Sequence, residues 1–226
     1  MNLFEVPQPS VPVAGEDGAF PVHRIYCVGR NYAAHAREMG HDPERMAPVF
    51  FMKPADAIVH SGATIPYPSQ TENFQHEIEL VVAIGKAGRD IAAADALEHV
   101  FGYAVGIDLT RRDLQLAAKE NRGTWDTAKG FDRSAPISAL HRVADIGHPD
   151  SGRIWLSVND VIRQKADLNE LIWSVPAAIA ELSTFFALIP GDLIFTGTPA
   201  GVGPIEVGDK LTGGIDGIDQ IAITIS

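Results

Sequence analysis

Two glutamates open an otherwise apolar segment, NFQHEIELVVAIG, at residues 73–85. Successive side chains of a β-strand point to opposite faces, so Glu77 and Glu79 are predicted to share one face while Ile78 lies on the other. Two like charges about 4 Å apart repel by roughly 4 kcal/mol at an effective dielectric constant near 20. A shared proton, an arginine or a divalent cation would offset that repulsion. The alternative is an exposed strand end at which both carboxylates are solvated.

A third carboxylate, Asp108, follows the apolar segment GYAVGI and precedes a predicted helix. Functional groups are often held at the ends of core strands. Together with Glu77 and Glu79 it would form an all-oxygen set of ligands, which suits Mg²⁺, Mn²⁺ or Ca²⁺ better than zinc. The sequence also lacks an HExxH motif and a cluster of Cys and His, the usual ligands of zinc. Trios of acids are common by chance. From spacing alone, a cluster of acids that binds no metal therefore remains an alternative.

Three further patterns have both a chemical and an ordinary interpretation. His35 and Glu38 would share one face of a helical turn, where the carboxylate would make the imidazole a better general base; the alternative is a surface helix. Lys129 could stabilise an oxyanion or be a surface lysine. The segment FTGTPAGVG, residues 195–203, could bind a carboxylate through backbone N–H groups and the Thr198 hydroxyl, or be a plain glycine turn.

Short strands outnumber helices in the elements that must position these residues. Predicted strands cover residues 24–29, 49–54, 76–85 and 102–108, and a hairpin turn is predicted at 159–160. Predicted helices cover residues 32–40, 111–122 and 170–192. This mixture indicates an α+β, strand-rich fold. Residues 1–22 are predicted to form an N-terminal arm or short hairpin, and residues 23–226 a single catalytic domain.

The composition is that of a globular protein: 226 residues, 46% hydrophobic and 21% charged. The net charge of −11 argues against a nucleic-acid partner, which would require a basic face. The single cysteine, Cys27, excludes an intrachain disulfide and is expected to be a buried packing residue. Neither a signal peptide nor a membrane-spanning segment is evident. We therefore expect a cytoplasmic protein with no membrane partner.

The order of six motifs along the chain resembles the fumarylacetoacetate hydrolase family, and within it the short single-domain branch of acylpyruvate hydrolases. The motifs are VGRNYAAHAREMG, FFMKP, FQHEIELVVAIGK, GYAVGIDLTRRDLQ, WDTAKGFD and GDLIFTGTPAGVGP. The resemblance extends from about residue 24 to the C-terminus. It implies a β-rich mixed sandwich or roll with a few short helices, and a homodimer.

The same resemblance implies a role for individual residues. The cofactor would be Mg²⁺ or Mn²⁺, held by Glu77, Glu79 and Asp108. His35 and Glu38 would activate water from a lid at residues 32–46, and Lys129 would stabilise an enolate. The residues expected to line the substrate cavity are Lys53, Arg112, Gln115 and Thr198.

The implied reaction is metal-dependent hydrolysis of the C3–C4 bond of a small-molecule 2,4-dioxo acid, an acylpyruvate. Residues 117–138 resemble the fumarylpyruvate hydrolases of the gentisate pathway of aromatic catabolism, which form fumarate and pyruvate. Arg122 could contact the distal carboxylate of that substrate, or be an exposed arginine at a helix end. Oxaloacetate decarboxylation and isomerisation of a dioxo acid are alternatives at the same site. A non-catalytic, metal-stabilised binding module is another, against which the intact His35–Glu38 pair argues.

Overall fold

A computed structural model describes residues 3–38 and 47–226 of the chain. Short segments with apolar residues on one or both faces form its strands. In chain order the strands are β1 Ser10–Pro12, β2 Ala19–Pro21, β3 Arg24–Gly29, β4 Val49–Lys53, β5 Ile58–His60, β6 Thr64–Ile65, β7 Phe74–His76, β8 Ile78–Ile84, β9 Val100–Ile107, β10 Thr110–Arg111, β11 Ala135–Ile137, β12 His141–Arg142, β13 Arg153–Val158, β14 Val161–Asp167, β15 Asp192–Phe195, β16 Gly203–Pro204, β17 Lys210–Ile215 and β18 Asp219–Ile225.

Two large sheets and two small ones are built from these strands. The largest has the order β4-β3-β15-β8-β9-β11-β5, with β12 also paired to β9. A five-stranded sheet has the order β14-β13-β17-β18-β6, a three-stranded sheet the order β10-β7-β16, and β1 pairs with β2. The largest sheet is mixed, because β15 is parallel to β3 and β11 to β5 while β8 is antiparallel to both neighbours. The predicted β-rich mixed fold with few helices is confirmed.

The central strand β8 is buried on both faces, which explains its continuous apolar sequence. Leu80 and Val82 belong to the main core, which also includes residues of the five-stranded sheet and of the helix Val175–Phe185. Val81 and Ala83 belong to a second core, against which the hairpin of β1 and β2 packs. The odd-numbered face of β8, which carries Glu79, is therefore the face that leads into the second core.

The helices are α1 Ala33–Glu38, α2 Arg112–Glu120, α3 Asp126–Lys129, α4 Val143–Ile146 and α5 Val175–Phe185. Helix α5 is shorter than the predicted 170–192. Residues Leu168–Glu170 form a separate 3₁₀ turn with its own capping box, and α5 is flanked by non-helical backbone at Ser174 and Phe186. Pro176 lies in its first turn, where a missing backbone N–H is tolerated. Helix α2 matches residues 111–122 apart from its ends, but the side chains that it buries are Arg112 and Gln115. The buried face of α2 is thus polar, which already indicates a site.

Several local predictions are confirmed. The strands at 24–29 and 102–108, the hairpin at 159–160 and the burial of Cys27 all have counterparts in the structure. Asn159 and Asp160 both have positive φ angles, 50° and 64°, as a two-residue hairpin turn requires. Among the described residues, the structure contains no helix that is both long and apolar enough to cross a membrane.

Candidate active site

Glu77 and Asp108 face each other where two antiparallel strands pass from one sheet to another. β7 pairs with β10 through Gln75 and Thr110, and β8 pairs with β9 through Ile78 and Ile107. Both pairs have the same register, so Glu77 lies opposite Asp108, whose N–H donates to the Glu77 carbonyl at 2.8 Å. The predicted strand 76–85 therefore begins at Ile78, because the chain changes sheets at Glu77.

The third acid, Glu79, follows two residues along β8 and lies opposite Gly106 of β9. A Cβ atom at Gly106 would lie 2.5 Å from the ring of Phe195 and 2.6 Å from Val81, so only glycine allows the strands to pack here. One carboxylate oxygen from each of Glu77, Glu79 and Asp108 lies within 4.8 Å of the others. All three residues are buried. The predicted convergence of these acids is present, and an exposed strand end is excluded.

Three buried cations are paired with the acids. The ammonium of Lys129 donates to Glu77 Oε2 at 2.9 Å, to Asp108 Oδ2 at 2.5 Å and to the Thr110 hydroxyl at 2.7 Å. Arg112 forms an ion pair with Glu77. Lys53 Nζ lies 2.8 Å from Asp108 Oδ1 and donates to the backbone carbonyls of Leu109 and Lys129. Three carboxylates and three cations thus balance in formal charge.

The pairing affects the acids unequally. Burial alone would raise the pKa of Glu77, but Lys129 and Arg112 hold that pKa well below its usual range. The pKa of Glu79 is raised well above its usual range by burial and by the charges of Asp108 and Glu77. The described hydrogen bond to the Glu79 side chain comes from the backbone N–H of Gly197, at 2.7 Å. Glu79 is therefore the acid least compensated by positive charge.

These observations fit a divalent cation with hard oxygen ligands. Within the described residues, Asp108 Oδ1 is buried and makes no hydrogen bond, since its contact with Lys53 lacks hydrogen-bond geometry. Buried polar atoms usually have a partner, and among the same residues Glu79 forms no ion pair. Glu77, Glu79 and Asp108 are thus the residues that could hold the ion. Carboxylate oxygens are suitable ligands for Mg²⁺ or Mn²⁺.

The predicted carboxylate-binding glycine turn binds a carboxylate of the protein itself. Besides the bond from Gly197 to Glu79, the N–H of Gly201 donates to Glu38 Oε2 at 3.3 Å. The Thr198 hydroxyl donates to the Ile78 carbonyl and accepts from Gln164. Thr198 and Lys53 are buried and are not among the residues that line the cavity described below. Their contact with substrate remains a prediction.

Gln164 was not indicated by any local sequence signal. It is fully buried on β14, a strand whose other side chains are mostly exposed. Its Oε1 accepts from the Ile78 N–H and contacts His76 Nδ1, and its amide donates to Thr198 and to the Pro199 carbonyl. Gln164 therefore links the sheet crossover next to Glu77 to the turn that binds Glu79.

His35 and Glu38 lie on α1 as predicted, with Nδ1 of the imidazole 3.3 Å from Glu38 Oε2. With the proton on Nδ1 donated to Glu38, Nε2 is the nitrogen that can accept a proton. Burial lowers the pKa of His35, against the opposing effects of Glu77 and Glu38. Residues 39–46 of the predicted lid lie outside the described residues.

The start of the same segment is anchored by Asn31. Its side chain accepts from the Trp173 N–H at 2.6 Å and donates to the carbonyls of Trp173 and Thr196. Asn31 is fully buried. The chain is therefore fixed four residues before His35.

Five of the eleven predicted site residues line one cavity of the described structure: His35, Glu77, Arg112, Gln115 and Lys129. The residues that line it are Gly29, Arg30, His35, Phe51, Glu77, Arg112, Gln115, Lys119, Trp125 and Lys129. Arg30, Lys119 and Trp125 were not predicted. Arg122 does not line the cavity: it is exposed, just beyond the end of α2, with a φ angle of 54°. A separate surface depression near Arg153 and Trp155 contains none of the acids.

Comparison with known proteins assigns this arrangement to a family. The model of the fumarylacetoacetate (FAA) hydrolase C-terminal domain matches residues 24–226. The chain belongs to the fumarylacetoacetate hydrolase family. The crystal structure of fumarylpyruvate hydrolase from Pseudomonas aeruginosa, in complex with Mn²⁺ and pyruvate, is 53% identical with a TM-score of 0.98, covering 100% of this chain and 99% of that one. The predicted fumarylacetoacetate hydrolase fold is thereby confirmed.

Curated relatives in this family have two kinds of activity in their names. A fumarylpyruvate hydrolase of a Ralstonia species is 43% identical over 78% of this chain and 91% of its own length. The mitochondrial oxaloacetate tautomerase FAHD1 of Arabidopsis thaliana is 41% identical over 89% of this chain and 90% of its own length. The names of these relatives thus do not choose between hydrolysis and tautomerisation.

Proposed function

We propose that the protein is a metal-dependent hydrolase of acylpyruvates that cleaves fumarylpyruvate into fumarate and pyruvate. The observation that carries this proposal is the meeting of three buried acids with three buried cations beside a cavity that the buried His35, paired with Glu38, also lines. The similarity to a fumarylpyruvate hydrolase structure that contains Mn²⁺ and pyruvate supports it.

The charge balance of the site suits a dianionic ligand. Because Glu77, Glu79 and Asp108 balance Lys53, Arg112 and Lys129 in formal charge, a divalent cation held by these acids would add two positive charges beside a cavity that Arg30 and Lys119 also line. A 2-oxo acid in its enolate form carries two negative charges at one end. When bound, the cation would supply Lewis-acid stabilisation of that end of the substrate.

The protein residues would carry out the proton transfers. Nε2 of His35 takes a proton from water, Glu38 holds the imidazole in the required tautomer, and the resulting hydroxide attacks C4 of the substrate. The C3–C4 bond breaks, C4 becomes a carboxyl group of fumaric acid, and the electron pair of that bond remains on C3 as a pyruvate enolate. His35 then transfers its proton to C3 to form pyruvate, and the new carboxyl group releases its own proton to solvent.

Lys129 would stabilise the enolate only after exchanging one of its present hydrogen bonds. Two of the three are accepted by the carboxylates of Glu77 and Asp108, and the third is accepted by the neutral Thr110 hydroxyl. The ammonium is attracted more strongly to an anionic acceptor than to a neutral one. The bond to Thr110 is therefore the one expected to be replaced by the enolate oxygen.

Oxaloacetate tautomerisation is the second candidate, favoured by the relatives that are named for it. The keto and enol forms of oxaloacetate interconvert through the same type of enolate, so His35 and Lys129 would serve that reaction too. It differs from hydrolysis in needing no attack of water on C4. Decarboxylation of oxaloacetate would also form this enolate.

Initial rates on a matched panel would separate these functions. Purified protein with Mg²⁺ or Mn²⁺ would be assayed with fumarylpyruvate, acetylpyruvate and both forms of oxaloacetate, and pyruvate release and enol absorbance would be followed. We expect the highest kcat/KM for fumarylpyruvate cleavage. Tautomerisation of oxaloacetate with no cleavage of any acylpyruvate would replace the proposal by the second candidate, and binding without turnover would support a non-catalytic module.

Assembly and location belong to the same proposal. A homodimer is supported by family resemblance and by apolar side chains left exposed in one chain, among them Val161, Ile162 and Phe185. Light scattering at micromolar concentration would give twice the mass of the chain if this is correct, and a monomer mass would refute it. A cytoplasmic location and a role in gentisate degradation would be tested by cell fractionation and by growth on gentisate after deletion of the gene.

A further inference from the structure

Lys119 is a partly buried cation at the outer part of the cavity. Within the described part of the chain it has no salt-bridge partner, and its ammonium lies 5.3 Å from the centre of the Trp125 ring. Burial and the charges of Arg112 and Arg30 lower the pKa of Lys119 to about 8. A cation surrounded by other cations next to a cavity is suited to an anionic ligand.

The position of Lys119 on α2 sets its distance from Arg112 along the helix axis. Arg112, Gln115 and Lys119 are three and four residues apart, so they lie on one face of the helix, and all three line the cavity. Arg112 contacts Glu77 and Gln115, so it marks the inner end. A helix rises 1.5 Å per residue, so the backbone of Lys119 lies about 10 Å farther along the axis than that of Arg112.

An extended dicarboxylic acylpyruvate matches this separation. Six carbon–carbon bonds connect its two carboxylate carbons when the acyl group is fumaryl. Three bonds of an extended chain span about 3.3–3.6 Å, so six span roughly 7 Å. The flexible lysine side chain can cover the remaining difference. Phe51 and Trp125, whose ring centres are 5.6 Å apart, also line the cavity and would supply an apolar wall for the planar, unsaturated part of the chain.

We propose that Lys119 recognises the distal carboxylate of a dicarboxylic acylpyruvate, and that Trp125 holds the ammonium at the required depth. This inference rests on the proposed function, because it assigns the specificity of that same site. It replaces Arg122, which lies outside the cavity and is exposed. The substrate class is therefore an acylpyruvate with a carboxylate on its acyl group.

The test uses two substrates that differ only at the distal group. Fumarylpyruvate has a carboxylate where crotonylpyruvate has a methyl group, and the reacting C3–C4 bond is the same. The variants are Lys119→Met, which removes the charge and keeps an apolar stem, Lys119→Arg, which keeps the charge, and Arg122→Met, the matched control on the same stretch of chain. Rates would be measured with saturating Mn²⁺.

For Lys119→Met we expect kcat/KM for fumarylpyruvate to fall about 10- to 100-fold, the loss typical of a hydrogen bond to a charged group. The value for crotonylpyruvate should stay close to wild type, which also shows that the variant is folded. Lys119→Arg should retain most of the preference, and Arg122→Met all of it.

Equal losses on both substrates, or a selective loss in Arg122→Met alone, would overturn the assignment of Lys119. Failure of the wild-type protein to cleave either substrate would instead refute the proposed function. The two failures are therefore distinguishable.

Discussion

The backbone N–H of Gly197 donates a hydrogen bond of 2.7 Å to Oε2 of Glu79. This bond depends on a backbone that only glycine tolerates here. The φ angle of Gly197 is +98°, and an added Cβ would lie 2.7 Å from the Cβ of Asn31 and 2.8 Å from the carbonyl oxygen of Val28. Gly197 therefore packs against Asn31, which anchors the His35 segment, and it binds Glu79, the acid least compensated by positive charge.

Gly197→Ala is therefore expected to impair both stability and metal binding. Backbone strain alone should lower the free energy of unfolding by about 1–3 kcal/mol, and the contacts with Asn31 and Val28 should add to that loss. Denaturant unfolding and the rise of Tm on adding Mn²⁺ would measure the two effects. Gly208→Ala is the control, because its φ angle is +95° with no atom within 4 Å of an added Cβ. Equal effects of the two substitutions would contradict this account.

Neutralising Glu77 and neutralising Glu79 should have opposite effects on the stability of the metal-free protein. Glu79→Gln removes a poorly compensated charge, so the metal-free protein should be at least as stable as wild type. Glu77→Gln leaves Lys129 and Arg112 without their shared acid, which should cost about 3–5 kcal/mol of unfolding free energy, as for broken buried ion pairs.

Both variants should lose the stabilisation by Mn²⁺ that a specific site gives, about 2.7 kcal/mol at a hundredfold excess over Kd, and both should be inactive. Urea unfolding with and without Mn²⁺ provides the measurement. A metal-free Glu79→Gln protein much less stable than Glu77→Gln would show that the charges are arranged differently.

The acid limb of the pH profile should report His35. Burial lowers its pKa from 6.5, so the imidazole is neutral and able to accept a proton at pH 7. The rate should therefore fall with decreasing pH only below pH 6.5. Glu38→Gln removes a group that raises this pKa, so the limb should move to lower pH. His35→Ala should reduce turnover by roughly 10²–10⁴-fold as for a lost general base. The pH profile of kcat/KM at saturating metal, measured for wild type, Glu38→Gln and His35→Ala, tests these expectations. An acid limb of the wild-type profile above pH 6.5 would be inconsistent with a buried base.

Gln164 is predicted to position the metal ligands without touching substrate. Gln164→Met keeps the size of the side chain but leaves the Ile78 N–H, the Pro199 carbonyl and the Thr198 hydroxyl short of a partner, at about 1–3 kcal/mol for each unsatisfied group. The affinity for Mn²⁺ should fall while KM at saturating metal changes little. Val158→Ala, a core substitution on β13, controls for general destabilisation. If both variants bind Mn²⁺ equally well, Gln164 is merely structural.

The parts of the site that depend on local patterns could be predicted from the sequence. Glu77 and Glu79 interrupt an apolar strand, and Asp108 ends another, so their convergence follows from strand alternation and strand ends. The strand break at Glu77 could not be predicted, because a crossover between sheets depends on distant pairing partners. For the same reason neither the contact of Lys53 with Asp108 nor the four contacts of Gln164 has a local signal.

The position of the helix end favours Lys119 over Arg122 as the proposed substrate contact. Helix α2 ends at Glu120, where the Asn121 side chain donates to the Ala117 carbonyl and the Gly123 N–H to the Ala118 carbonyl. A helix predicted to continue to residue 122 would carry Arg122 on its surface as a candidate. The observed end turns Arg122 into solvent and leaves Lys119 as the cation within the last turn that lines the cavity.

The most direct test of the account is the conversion of fumarylpyruvate by metal-stripped protein, followed by NMR. We predict no conversion beyond the spontaneous rate after treatment with a chelator. Equimolar fumarate and pyruvate should appear once Mn²⁺ or Mg²⁺ is restored, and Glu79→Gln should give neither product. Cleavage at the same rate in chelator, or consumption of fumarylpyruvate without equimolar fumarate and pyruvate, would contradict the central claim.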